Sequence, residues 1–147
     1  MRNAGSKICL SIALIGLAMM AAGCVRTTFD VNRATQPYPR ELHNTRTLDV
    51  QVFREGEDIR IVNTSPVSFS NVRLWLNQRF MREIESLPAG ETIRLSLWEF
   101  FDERGEVYNA GGFFAAFDPL PLRLCQIQVD DTTPLIGLIT IRSEPAS

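Results

Sequence analysis

Residues 47–147 predict an all-β domain, an antiparallel β-sandwich of about seven strands. Three observations carry this. Apolar and polar residues alternate in short runs, the period of a strand with one buried face. Turn-forming clusters separate the runs at intervals of about 8–12 residues, the spacing of a sandwich. No segment carries a helical stripe of apolar residues at the 3.6-residue period.

The front of the chain is a different kind of segment. Arg2 and Lys7 precede an uncharged apolar run over residues 8–23, which closes on the small residues Ala21, Ala22 and Gly23 before Cys24. Positive charge, apolar stretch and small residues at a cut site form the layout of a secretory signal peptide over residues 1–23, with a helical apolar core. The run falls short of the roughly 20 apolar residues of a spanning helix. Removing it takes both Arg2 and Lys7 from the 15 basic residues and none of the 17 acidic ones, leaving the exported part net acidic. A net acidic chain has no electrostatic footprint for nucleic acid. Lys7 is the only lysine, so the exported part can form no Schiff base through a side chain.

The stretch Ala21-Ala22-Gly23-Cys24 resembles the lipobox of bacterial lipoproteins, with Ala21 where leucine is commonest. The resemblance implies that Cys24 is diacylated on sulfur and becomes the mature N-terminus, carrying palmitate-type chains. Two acyl chains give stable anchoring, whereas one gives only reversible binding. Val25 stands where an aspartate would imply inner-membrane retention, which favours the outer membrane. An ordinary cleaved signal or an uncleaved anchor, with Cys24 incidental, are the competing readings. Cys125 sits among apolar residues in PLRLCQIQV and reads as a small buried hydrophobe.

Residues 24–46 read as an extended, lipid-anchored tether. The segment is rich in Thr, Asn, Pro and Arg, keeps no period, and carries Pro37 and Pro39. The strands follow. TLDVQVF alternates Leu48, Val50 and Val52 with Asp49 and Gln51. DIRIVN places Ile59 and Ile61 on one face, NVRLWLN places Val72, Leu74 and Leu76, and ETIRLSLW places Ile93, Leu95 and Leu97. PLRLCQIQV and PLIGLITIR complete the set. The turns fall at Glu55-Gly56-Glu57, Asn63-Thr64-Ser65-Pro66, Leu87-Pro88-Ala89-Gly90 and Glu103-Arg104-Gly105. In PLRLCQIQV the apolar parity shifts from Leu122 and Leu124 to Ile127 and Val129. This predicts a bulge or bend near Cys125-Gln126, unless the strand is central and buried on both faces.

The pieces IVNTSPVSFSNVRLWLN, LPAGETIRLSLWEFFDERGEVYN and PLRLCQI, across residues 59–127, resemble a family of small, mostly uncharacterised bacterial domains with an immunoglobulin-like sandwich. These domains occur in exported or membrane-anchored proteins, and the resemblance implies no catalytic residues. The aromatic stretch NAGGFFAAFDPLP departs from the family pattern, as do the two tryptophans.

Trp75 and Trp98 lie on the parity opposite to the apolar faces of their strands, beside Arg73 and Arg94. Aromatic and arginine side chains together suit a protein interface or a saccharide platform. The competing reading covers them with the Pro-rich tether, the Phe loop or another strand. Phe113, Phe114 and Phe117 lie between glycines and prolines and form a contact loop or a plug for one end of the sandwich. Asp102, Glu103 and Glu106 lack the alternation of a calcium loop and read as a solvated hairpin. His43 is the only histidine, which rules out a multi-histidine zinc site.

The sequence therefore implies a non-catalytic module with no metal and no cofactor, exported and anchored in the bacterial cell envelope. It would contact an envelope protein, or secondarily a saccharide, through an outer sheet face or the Phe-rich loop. A structural envelope lipoprotein without a discrete ligand is the alternative.

Overall fold

The computed structural model describes residues 29–112 and 117–141. The signal segment, Cys24, Phe113 and Phe114 lie outside the described residues.

Among the described residues, seven strands form a mixed sheet. They are β1 (Thr47–Glu55), β2 (Asp58–Asn63), β3 (Phe69–Leu76), β4 (Phe80–Leu87), β5 (Thr92–Ser96), β6 (Cys125–Gln128) and β7 (Ile136–Ile141), in the order β4-β3-β6-β7-β1-β2-β5. The sheet is nearly closed. After β5 the chain makes one 3-10 turn, Leu97–Glu99, and returns to the other edge. There Phe101 pairs with Met81 of β4 through two backbone bonds, 2.8 and 3.1 Å.

Period two made the inner core. Val50, Val52, Ile59, Ile61, Leu74, Leu76 and Ile127 have no exposed surface, and Val72 almost none. Phe100, Tyr108 and Leu97 fill the space between the two ends of the sheet order, with Phe80 edge-on to Tyr108 at 5.1 Å. Each buried aliphatic side chain of this kind contributes about 1.5–3 kcal/mol. The turns are where the sequence placed them. Gly56, Gly90 and Gly105 all take positive φ. Asn63 accepts from the Ser65 N–H (3.1 Å) and donates to the carbonyls of Val67 and Pro88, at 2.8 and 3.0 Å, so one buried amide ties β2 to the β2–β3 and β4–β5 loops.

Three expectations need correction. The sheet is not wholly antiparallel, because β1 and β7 run parallel. They are the first and last strands, so no hairpin between them dictates direction. β6 carries no bulge. Its pairing with β3 runs in step from Leu76–Cys125 to Arg73–Gln128, and all four of its residues are buried, as in a central strand covered on both faces. The break in register falls instead in β1, between Leu48 and Gln51 opposite β7, where the Asp49 carbonyl accepts the Thr64 hydroxyl at 2.7 Å. The third concerns the tether. From Phe29 onward it is packed against the domain.

Candidate functional site

The segment from Phe29 to Arg46 is a strap over the outer face of β3, β6 and β7. It starts at the 102–106 turn, where the Asp30 N–H donates to the Gly105 carbonyl at 2.8 Å. A Cβ on Gly105 would stand 2.2 Å from the Asp30 carbonyl oxygen, so this approach needs glycine for space as well as for φ. Thr35 N–H then donates to the Asp102 carbonyl (3.0 Å), and the Arg33 guanidinium lies 4.3 Å from the centre of the Phe101 ring. Farther on, the Leu42 carbonyl accepts from Leu135, and the Arg46 carbonyl from Gly137, both at 2.8 Å.

Beneath the strap lies a second, smaller core of Trp75, Met81 and Leu135, closed by Tyr38 and Leu42. The Tyr38 ring stands edge-on to Trp75 at 5.3 Å. Gln126 and Gln128 alternate with Cys125 and Ile127 and so point under the strap. Their amides satisfy its polar groups. Tyr38 hydroxyl donates to Gln126 Oε1 at 2.7 Å, and Gln128 Oε1 accepts from Trp75 Nε1 at 2.8 Å and from Gln36 Nε2 at 3.3 Å. Burial raises the Tyr38 hydroxyl above its ordinary value, against the opposing bonds from Gln126 and Gln78.

The turn on which the strap starts is held by charge. Asp102 is buried, and its carboxylate accepts Arg79 Nε and Nη2 at 3.0 and 2.8 Å and the N–H groups of Arg104 and Glu106 at 2.9 and 2.8 Å. Burial alone would push this carboxyl up, but the Arg79 bonds and the two backbone donors outweigh it and hold it below its ordinary value.

Between the strap and the β3–β4 hairpin runs a groove of about 580 Å³. Residues 32–36 form one wall, and Arg73, Met81, Arg82, Glu83, Glu99 and Phe101 the remainder. Arg82 pairs with Glu99, and Arg73 lies 3.7 Å from Glu83 and also pairs with Asp131. The groove thus brings guanidinium and carboxylate groups together with the side chains of Met81 and Phe101. That composition recognises a polar or charged chain. Its lining holds no histidine, cysteine or serine.

The residues singled out in the sequence are dispersed. Trp75 is wholly buried under the strap, which corrects its reading as a contact residue, and Arg73 is in the groove. Trp98 is half-buried and donates from Nε1 to Glu57, while Arg94 lies on β5 with Glu55 and Asp58. Phe117 is exposed at another loop. Gln36, Tyr38, Gln126 and Gln128 were missed, although the alternation of the two glutamines with Cys125 and Ile127 was in plain view. Cys125 is buried, and desolvation pushes its thiol far up, which makes it inert. Among the described residues no group of three His, Cys, Asp or Glu side chains could hold a metal, and no helix is long and apolar enough to cross a membrane.

No family model, curated protein or solved structure matches the chain.

Proposed function

We propose that this chain is a lipid-anchored, non-catalytic binding or accessory module of the bacterial cell envelope, held by acyl chains on Cys24, in the outer membrane for preference. The groove beside the strap carries the partner reading. Its lining combines Arg73, Arg82, Glu83 and Glu99, which suits an envelope protein's charged segment better than a saccharide. We read the fold as immunoglobulin-like. The parallel pairing of first and last strands, with β1 joining β2 on one side and β7 on the other, supports that reading.

The test has two arms. Metabolic labelling with a palmitate analogue should mark the native protein and not Cys24→Ser. A photo-crosslinker at Glu83 should give one envelope adduct that is lost in Arg73→Glu with Arg82→Glu. Labelling without any adduct would favour the alternative, a structural envelope lipoprotein with no discrete ligand. The burial of Trp75 favours that alternative, since the strongest candidate anchor is spent on internal packing.

A further inference from the structure

The place where the packed domain begins limits how far it can stand from an anchor at Cys24. Five peptide steps separate Cys24 from Phe29. Fully extended, they reach about 18 Å. Strand β1 alone, at nine residues, is about 30 Å long. The domain is therefore longer than its leash.

Phe29 lies at one end of the domain, the end that carries the β1–β2 and β3–β4 turns. It bridges Glu106, whose turn is tied to Arg79 between β3 and β4. The loop that bears Phe117 is held at the same end. Arg54, near the close of β1, donates to the carbonyls of Ala110 and Leu120, and Asn77, in the β3–β4 turn, donates to that of Pro121 at 2.8 Å. Asn109 Nδ2 donates to the Asp118 carbonyl at 2.9 Å beside Phe117 itself. Phe29 is 51% exposed, Val31 65% and Phe117 79%. Among the described residues, both phenylalanines that are exposed thus fall at the anchored end. Val67 and Val129 belong to the opposite end, in the β2–β3 and β6–β7 connections.

We propose that this end rests on the phospholipid bilayer, with Phe29, Val31 and Phe117 in the headgroup region. The inference rests on the acylation of Cys24. Short reach brings the end to the surface, and the apolar side chains gain by leaving water there.

The full-length lipoprotein in phosphatidylethanolamine–phosphatidylglycerol vesicles tests this, with acylation checked by intact mass. Nitroxide labels are placed one at a time through Phe29→Cys, Phe117→Cys and Val67→Cys. Power-saturation EPR should shift the labels at 29 and 117 toward oxygen and away from a water-soluble nickel relaxant, leaving the label at 67 water-like. An acylated protein whose label at 117 matches that at 67 would overturn the docking alone. Protein without acyl mass would overturn the anchor and the docking together. Shielding of the label at 117 in detergent that grows with protein concentration would assign the patch to a second copy and overturn the bilayer.

Discussion

Trp75 and Trp98 carry the same signal in the sequence and meet different fates. Each lies opposite the apolar face of its strand and beside an arginine. Trp75 sits on β3, where the strap crosses, and loses all contact with solvent. Trp98 follows the end of β5, within a 3-10 turn that rotates it onto the flank of the main core, and stays half-exposed with Glu57. Parity decides which face a side chain takes. It does not decide what covers that face, which here came from a segment roughly 40 residues away in sequence.

Substitutions sharpen the contrast. Trp75→Ala should have the largest effect, about 3–5 kcal/mol, from the lost aromatic volume and the unmatched Gln128. Thermal unfolding reads the loss, and hydrogen exchange should show the Leu135 and Gly137 amides opening with the strap. Asp102→Asn comes next, at about 2 kcal/mol, since it leaves Arg79 without its buried partner. The sign with pH follows from the lowered folded value. The stability Asp102 contributes is complete above its unfolded value, about 3.9, and is lost as pH falls through the folded one. Native protein and Asp102→Asn should therefore converge in stability on acidification, a comparison that urea titrations at several pH values can make.

Gly105→Ala should cost more than about 1 kcal/mol through its positive φ, and more again through the clash with Asp30. Its mark should be confined to the strap, with the Thr35 amide exchanging faster while the inner core keeps its protection. Trp98→Ala should cost about 1–2 kcal/mol with no effect on the strap. Arg94→Ala should fall within about 0.2–1 kcal/mol, as its pairs lie at the surface. A Trp98→Ala variant that released the strap as Trp75→Ala does would break the comparison.

Much of the inner core was legible because alternation is local. Val50, Val52, Ile59, Ile61 and Leu74 could be assigned one strand at a time. β4 was the exception. Its buried residues Phe80, Met81, Ile84 and Leu87 do not alternate: Met81 faces Trp75 in the second core, while Leu87 rejoins the main core opposite Phe69, past Asn71 with its positive φ. The Pro-rich segment was one of three covers the sequence allowed for the tryptophans, and it does cover Trp75, but its attachments hid for a related reason. They run through backbone carbonyls and through Gln36, Tyr38 and Leu42, which lie too far apart to form a period. Of the candidate site, only Arg73 was singled out in the sequence. Arg82, Glu83 and Glu99 come together by strand pairing and by the 3-10 turn after β5, and neither is encoded in spacing along the chain.

The strap also sets the order in which the molecule would give way under load. Tension entering at the N-terminus meets the Asp30–Gly105 and Thr35–Asp102 bonds first, then the Tyr38 contact, then Leu42 and Arg46. These attachments lie in succession along the segment, so they rupture singly and in turn. The β1 ladder, bonded along its length to β2 and β7, shares the force among many bonds at once. The strap would thus release slack while the seven strands stayed joined, making it the compliant element in series with a stiff body.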